Sequence, residues 1–226
     1  METELFDPVE NEADVISSYW NDRAEHFDEQ HNTEDLAIWS EQLEKAFGCD
    51  GHASVLDVGT GTGFLALLLA KLGYEVTGID FAEKMMELGR IKASKWNLSV
   101  KFVQGACENL PFSDNSFDFI VNCRVMWTLP EPVKALKEWQ RVLKPGGKLI
   151  SFMRMMDVKP ASGESFYGRG IELPLAKAGR SEYVKVYQAA NFKNIAVTEM
   201  PETMSHAEDM PGWTMFTGSK EKQEDE

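Results

Sequence analysis

The sequence is short of cysteine, of positive charge and of long apolar runs, and each shortage argues against a class of function. Only three of 226 residues are cysteine (Cys49, Cys107 and Cys123), widely spaced and without a C-x-x-C pair. No zinc site or redox dithiol is indicated, so no metal is expected. An odd number of separated thiols fits a reducing compartment. Lysine and arginine total 23 against 37 aspartates and glutamates, a formal charge of −14. A field of that sign repels phosphate backbones, so no nucleic-acid partner is expected. No stretch approaches the ~18 apolar residues of a membrane span, so no membrane partner is expected either. The opening METELFDPVENEAD is acidic rather than a basic, apolar leader, and the expectation is a soluble cytoplasmic protein.

What is present is enough for one α/β domain with a real core: 43% of residues are hydrophobic, which sets the chain apart from disordered sequences. No repeat and no Pro/Ser-rich linker divides it. Residues 1–14 and 221–226 read as acidic tails. Between 15 and 48 two helices are expected, the second with Leu36, Trp39, Leu43 and Phe47 on one face and Gly48 at its end. From 53 to 155 strands and helices alternate. Strands are expected at 55–58, 75–79, 100–105, 117–123 and 148–155. Helices are expected at 63–72, 82–95 and 132–143, the last stopping at the KPGG of 144–147. Residues 157–179 are irregular. Residues 180–220 hold a helix at 182–192 and strands at 194–200 and 213–220. Such alternation implies a mostly parallel sheet covered on both faces, with its ligand at the carboxyl ends of the central strands.

The stretch VLDVGTGTGFLALLLAKLGYEVTGID, 55–80, carries the chemistry. Its glycines are Gly59, Gly61 and Gly63. A dinucleotide fingerprint would have its third glycine at position 64, where Phe64 stands, and a phosphate-binding Gly-Lys-Ser/Thr is absent. Instead one acid, Asp57, precedes the glycines and another, Asp80, ends the second strand 23 residues later (80 − 57). Glycines allow a ligand to approach the backbone closely. Asp57 is placed to hold a cationic amine, and Asp80 to accept from both ribose hydroxyls. A ligand with an amine at one end and a ribose at the other is S-adenosylmethionine, with S-adenosylhomocysteine as its demethylated product.

With those residues the chain resembles the class I S-adenosylmethionine-dependent methyltransferases. It looks closest to the small-molecule branch that contains the ubiquinone/menaquinone-biosynthesis enzymes. LDVGTGTG, VTGIDFAEKMMELGR, CENLPFSDNSFDFIV and EPVKALKEWQRVLKPGGKLI carry the resemblance, over about residues 50–155. It implies a Rossmann-like seven-stranded sheet of order 3-2-1-4-5-7-6, strand seven antiparallel, with helices on both faces and an N-terminal helical lid. It implies that Asp57, Gly59, Gly61 and Gly63 hold the methionine end and Asp80 the ribose, with Phe81 or Met85 against the adenine. Ala106 and Cys107 would meet the adenine edge through their backbone, since Ala106 stands where the family usually has an acid. Asn122 and Cys123 would pass beside the methionine moiety. Tyr19, Trp20 and Arg23 would belong to the lid.

By the same resemblance the enzyme moves a methyl group from the cofactor to a small-molecule acceptor by in-line displacement, as a monomer or homodimer. The chain departs from the family after strand four, where Trp127 and Thr128 replace the usual histidines, so no general base is expected there. Arg124, Met126, Trp127, Tyr167 and Arg169 are the acceptor-pocket candidates, and 157–179 is the segment expected to cover the acceptor. Three alternatives stay open: a protein or RNA acceptor, thiol or metalloid chemistry at Cys107 and Cys123, and a non-catalytic cofactor-binding scaffold. The charge argument yields its own test. Titration with bulk tRNA at low salt is expected to show little binding, and tight binding that weakens steeply with salt would reverse the exclusion.

Overall fold

The computed structural model describes residues 12–31, 33–48, 52–155, 167, 170–205 and 211–222. Two helices lead, α1 (Glu12–Gln30) and α2 (Leu36–Phe47), followed by β1 (Ser54–Val58), α3 (Phe64–Lys71), β2 (Glu75–Asp80), α4 (Glu83–Lys95), β3 (Val100–Gln104) and β4 (Phe117–Cys123). Then come a single 3-10 turn at Met126–Thr128, α5 (Pro132–Val142), β5 (Leu143–Arg154), α6 (Arg180–Ala189), β6 (Lys193–Glu199), a second 3-10 turn at Glu202–Met204 and β7 (Trp213–Ser219). The seven strands form one sheet in the order β3-β2-β1-β4-β5-β7-β6. Strand β7 runs antiparallel to both β5 and β6, and the remaining pairs are parallel. The sheet order read from the family resemblance is the one observed.

Near-continuous apolar strands make the centre of the sheet because both of its faces are covered. In β1, Leu56 and Val58 enter the core shared with α5 and α6, while Val55 enters the core shared with α2 and α3. Helix α5 starts with Pro132 in its first turn and buries Ala135, Leu136, Trp139 and Val142 along one stripe. Helix α2 is capped by Asp35, whose Oδ1 accepts from the amides of Ala37 (3.0 Å) and Ile38 (3.1 Å). Among the described residues no helix is long and apolar enough to cross a membrane.

Three expectations are corrected. Leu36 does not share the buried face of α2: it is 48% exposed, in the first turn, while Trp39, Leu43 and Phe47 are buried. The KPGG segment does not separate helix from strand. Strand β5 already begins at Leu143, opposite Phe117, and a register shift absorbs 144–147 before Lys148 pairs with Phe119. The last helix lies at Arg180–Ala189, two to three residues earlier than the pattern indicates.

A buried ion cluster fastens the N-terminal helices to the sheet. Glu34, 5% exposed, accepts from Nη2 of both Arg124 and Arg154 (3.2 Å each) and from the indole N–H groups of Trp39 (3.2 Å) and Trp213 (3.0 Å). It ties the α1–α2 junction to the ends of β4 and β5 and the start of β7. Removing the carboxylate strands two guanidinium groups in a poorly solvated place. Glu34→Ala is therefore expected to lower stability by about 3–5 kcal/mol in denaturant melts. A loss under 1 kcal/mol would mean that water replaces the carboxylate.

Candidate active site

The turn between β1 and α3 is built on positive φ: 65° at Gly59, 54° at Gly61 and 84° at Gly63. At Gly59 a Cβ would lie 2.4 Å from Cγ2 of Val125, so no side chain fits between the turn and the end of β4. At Gly61 a Cβ would meet nothing within 4 Å, because the backbone there faces open space. Two carboxylates brace the turn. Asp57, 2% exposed, accepts through Oδ2 from the Thr60 hydroxyl (2.8 Å) and the Ala66 amide (3.1 Å). It thereby caps the first turn of α3, whose own N-cap residue, Gly63, has no side chain to offer. Burial, opposed by those two bonds and reinforced by the charge of Asp80, pushes the Asp57 carboxyl up to about 7. Asp80 accepts from the amides of Gly61 (2.8 Å, Oδ2) and Ala82 (2.9 Å, Oδ1). Burial raises its pKa, and the amides pull it back.

Beside this turn a cavity of about 130 Å³ opens, roofed by α1. Ile16, Trp20, Phe27 and His31 come from α1 and its end, Gly59 and Gly61 from the turn, and Asp80, Phe81 and Met85 from β2 and α4. Cys107 and Glu108 follow β3, and Cys123, Arg124, Val125 and Trp127 to Pro130 follow β4. Ten of the residues expected from sequence thus meet in one place: Trp20, Gly59, Gly61, Asp80, Phe81, Met85, Cys107, Cys123, Arg124 and Trp127.

Other expected residues lie elsewhere, each for a visible reason. Arg23 is exposed and stacks over the Tyr19 ring, 3.4 Å from its centroid, so neither lines the cavity. Asp57 sits beneath the turn and Gly63 behind it. Ala106 is held in a short bridge with Asn109. Asn122 is fully buried, its Nδ2 donating to Ser151 Oγ (2.7 Å) and its Oδ1 without a partner, so its side chain belongs to the α5–α6 core and forms no cavity wall. Met126 is fully buried in that core. Tyr167 stands behind the wall, accepting from Trp20 Nε1 (3.1 Å) and donating to the Thr128 carbonyl (3.4 Å). Arg169 and most of 157–179 lie outside the described residues.

Sequence reasoning missed His31, Phe27 and Glu108 as cavity residues. Positions 16, 20, 27 and 31 share one helical face, and that spacing was the available signal for the first two. Glu108 had none, since only the fold brings the loop after β3 to the end of β2. His31 donates from Nδ1 to the Phe27 carbonyl (2.7 Å) and stacks on the Phe27 ring at 4.2 Å. Burial, opposed by that bond and aided by Arg124, pulls its pKa below the ordinary value, leaving a neutral imidazole. Burial also pushes the Cys123 thiol up to about 12 and Cys107 well above its usual range. Both stay protonated at neutral pH, which argues against thiolate chemistry.

Comparison with known proteins accords with this geometry. Residues 56–151, from β1 to β5, match the methyltransferase domain family. That stretch, less than half of the chain, is similar to a methyltransferase domain. Demethylmenaquinone methyltransferase from Staphylococcus aureus is 40% identical over 125 residues, covering 54% of this chain and 49% of that protein. The chain thus spans about half the length of the curated relatives it matches. A SAM-dependent methyltransferase of known structure from Aquifex aeolicus is 26% identical, with a TM-score of 0.61 over 81% of this chain and 90% of its own. The cyclase SpnF shares the fold alone, at 22% identity and a TM-score of 0.67 over 82% and 80% of the two chains.

The Aquifex aeolicus protein is named for its dependence on S-adenosylmethionine, and the residues around this cavity fit that cofactor. The amides of Gly61, Ala82 and Phe81 take three of the roughly four lone-pair sites of the Asp80 carboxylate, which leaves one for a ribose hydroxyl. Gly61 leaves room for a ligand against the backbone. The cavity is smaller than the roughly 300–1,000 Å³ of small-molecule sites. The Asp57 shift gives a test in the ligand-free protein. An acid whose folded pKa is raised from 3.8 to about 7 makes the native state bind more protons than the unfolded chain. Its contribution therefore falls as pH rises between those values and is flat above them. The melting-temperature gain of Asp57→Asn over the parent is expected to grow from pH 4 to 7 and then level off. A gain independent of pH would show that Asp57 ionises normally.

Proposed function

We propose that the protein transfers a methyl group from S-adenosylmethionine to a small-molecule acceptor, working as one domain in the cytoplasm, as a monomer or homodimer and without nucleic acid. The observation that carries the reading is the convergence of the glycine turn, the Asp80 carboxylate and Arg124 on one largely apolar cavity. Asp80 holds the ribose; Gly59 and Gly61 and the backbone of Cys123 approach the methionine end; Phe81 and Met85 pack on the adenine. The relative named for demethylmenaquinone supports an organic acceptor of that general kind.

When bound, the cofactor supplies an electrophilic methyl group on a sulfonium. The rest is left to the chain: aligning the acceptor and excluding water. Trp127 is the apolar wall against which the acceptor lies, braced from behind by Met126 and Tyr167. Arg124 steers an anionic acceptor, and Arg169 belongs to the segment over it. Arg124 gives Nη2 to Glu34, and among the described residues no further hydrogen bond from its guanidinium is seen. The hydroxyl of Thr128 donates to the Val125 carbonyl (2.6 Å), which fits the absence of a base after β4. An acceptor that is already nucleophilic, such as an ionised phenol, suits this site.

Calorimetry is expected to show binding of S-adenosylhomocysteine and none of NAD. Asp80→Ala should weaken that binding by about 1–3 kcal/mol, and unchanged affinity would sink the assignment. Helix α1 is latched by Asp28, which accepts from the Thr62 hydroxyl (2.5 Å) and Lys92 (2.9 Å), so its hydrogen exchange should slow when ligand fills the space beneath it. Labelled methyl donor added to cell extract, with mass spectrometry of the products, then identifies the acceptor and separates an enzyme from a binding scaffold.

A further inference from the structure

The roof of the cavity carries a basic group that the proposed function leaves idle. It is the imidazole of His31, half-buried just past the end of α1. Its Nδ1 lies 2.7 Å from the Phe27 carbonyl, and a carbonyl oxygen only accepts. Nδ1 therefore carries the proton, and in the neutral ring Nε2 is left as a bare acceptor. The stack on Phe27, 24° between the planes, fixes the ring's attitude. No hydrogen bond to Nε2 is seen among the described residues. The one buried side-chain polar atom without a partner there is Oδ1 of Asn122, so Nε2 keeps open surface. The charged groups that act on the ring come from three places. Asp28, on α1, gives its oxygens to Thr62 and Lys92. Glu34, at the α1–α2 junction, is taken by Arg124 and Arg154. Arg124, just past β4, lines the same cavity as His31. Burial, with Arg124, outweighs the two acids and keeps the ring neutral.

We infer that His31 is the catalytic base for a phenolic acceptor: Nε2 takes the hydroxyl proton while Arg124 faces the oxygen left behind. The inference rests on the methyl-transfer reading of this cavity. A phenol is protonated at neutral pH, so the ionised form that suits the site has to be made inside it. The O–H proton passes to Nε2, and the oxygen lone pair forms the bond to the transferred methyl. The electron pair of the broken methyl–sulfur bond stays on sulfur, and the imidazolium then gives its proton to water. Nδ1 keeps its bond to Phe27 throughout, so the ring need not turn. Other groups around the cavity serve less well. The Cys123 thiol is held protonated, and the Thr128 hydroxyl is engaged with Val125. Asp80 is bound to amides of its own turn. The base therefore comes from the roof, and the cation that stabilises its product comes from the end of β4.

The test uses 4-nitrophenol, whose phenolate absorbs in the visible, bound to the full chain beside S-adenosylhomocysteine. In the parent protein the bound probe is expected to ionise about one pH unit or more below its free midpoint. Nitrogen NMR should show His31 as the Nδ1–H tautomer in the free protein and as imidazolium once the probe is bound. His31→Gln, which can accept a hydrogen bond but cannot take a proton, should lose most of the shift. His26→Gln, an exposed roof histidine beside Glu29 (3.5 Å), should keep all of it. Thermal melts confirm that each variant folds. Calorimetry with S-adenosylhomocysteine should give the parental affinity in both variants. A bare Nε2 in the probe complex overturns the inference, as does a His31→Gln protein that retains the shift. A probe that finds no place beside bound S-adenosylhomocysteine overturns it as well. About ten-fold weaker S-adenosylhomocysteine in His31→Gln would show that the imidazole holds the cofactor instead. A parent protein that does not bind S-adenosylhomocysteine at all would remove the cofactor assignment itself.

Discussion

Two buried carboxylates hold one turn, and the rest of the site is arranged around that fact. A backbone that takes three positive-φ glycines in five residues keeps few hydrogen bonds of its own, chiefly from the Thr60 amide to the Ile79 carbonyl (3.0 Å) and from the Gly63 amide to the Thr60 carbonyl (2.8 Å). Asp57 supplies others from below through Thr60 and Ala66, and Asp80 from the side through Gly61. Each acid is raised above its ordinary pKa by burial, so the arrangement costs free energy in the ligand-free protein. That strain is the kind found where a site is preorganised before its ligand arrives.

The second constraint is the attachment of α1, which with its end supplies four of the eighteen residues lining the cavity from a part of the chain that precedes the sheet. It is bound to the turn through Asp28 and Thr62, to the end of β2 through Ser17 and the Phe81 carbonyl (3.2 Å), and to the start of α4 through Asn21 and the Lys84 amide (3.0 Å). These contacts are polar and partly exposed, whereas the Glu34 cluster one element later is buried and apolar around its rim. The two attachments therefore differ in their surroundings, although Trp20, Ala24 and Phe27 also pack α1 on Ala82, Met85 and Leu88.

Much of this was legible in the sequence because the relevant signals are local. The spacing of Gly59, Gly61 and Gly63 and the acid at each flank lie within 26 residues of one another and point to Asp80, while the resemblance added Phe81, Met85 and Cys123; all four line the cavity. What failed was whatever depends on side-chain direction or on distant partners. Asn122 and Cys123 are adjacent on one strand, yet alternation sends them to opposite faces, so only Cys123 reaches the cavity. Asp57 was read as a ligand for an amine, but the nearest needy groups are the hydroxyl and amide of its own turn. Glu34 gave no sign of its importance, because its four partners come from α2, β4, β5 and β7. Leu36 was apolar and in phase but fell in the exposed first turn.

The cavity also has an electrical direction that no single motif reveals. At the β2–β3 end stand Asp80 and Glu108, and at the β4–β5 end Arg124 and Arg154 share the single charge of Glu34, an excess of one positive unit. Between them lie protonated thiols, a neutral imidazole and aromatic rings, which neither screen nor compete with the two ends. In a medium of low effective dielectric such a separation orients a ligand before any hydrogen bond forms. Hydroxyl donors are drawn to the first end and an anionic acceptor to the second, and the reverse placement is opposed at both ends. The direction is set by Arg124, whose own backbone sits at a positive φ of 63° with its amide donating to the Phe152 carbonyl (2.9 Å). The chain accepts that strained residue just past β4, where the guanidinium can stack over Trp213 at 4.9 Å and still face the cavity, so the polarity of the site and the anchoring of the N-terminal helices are settled by the same side chain.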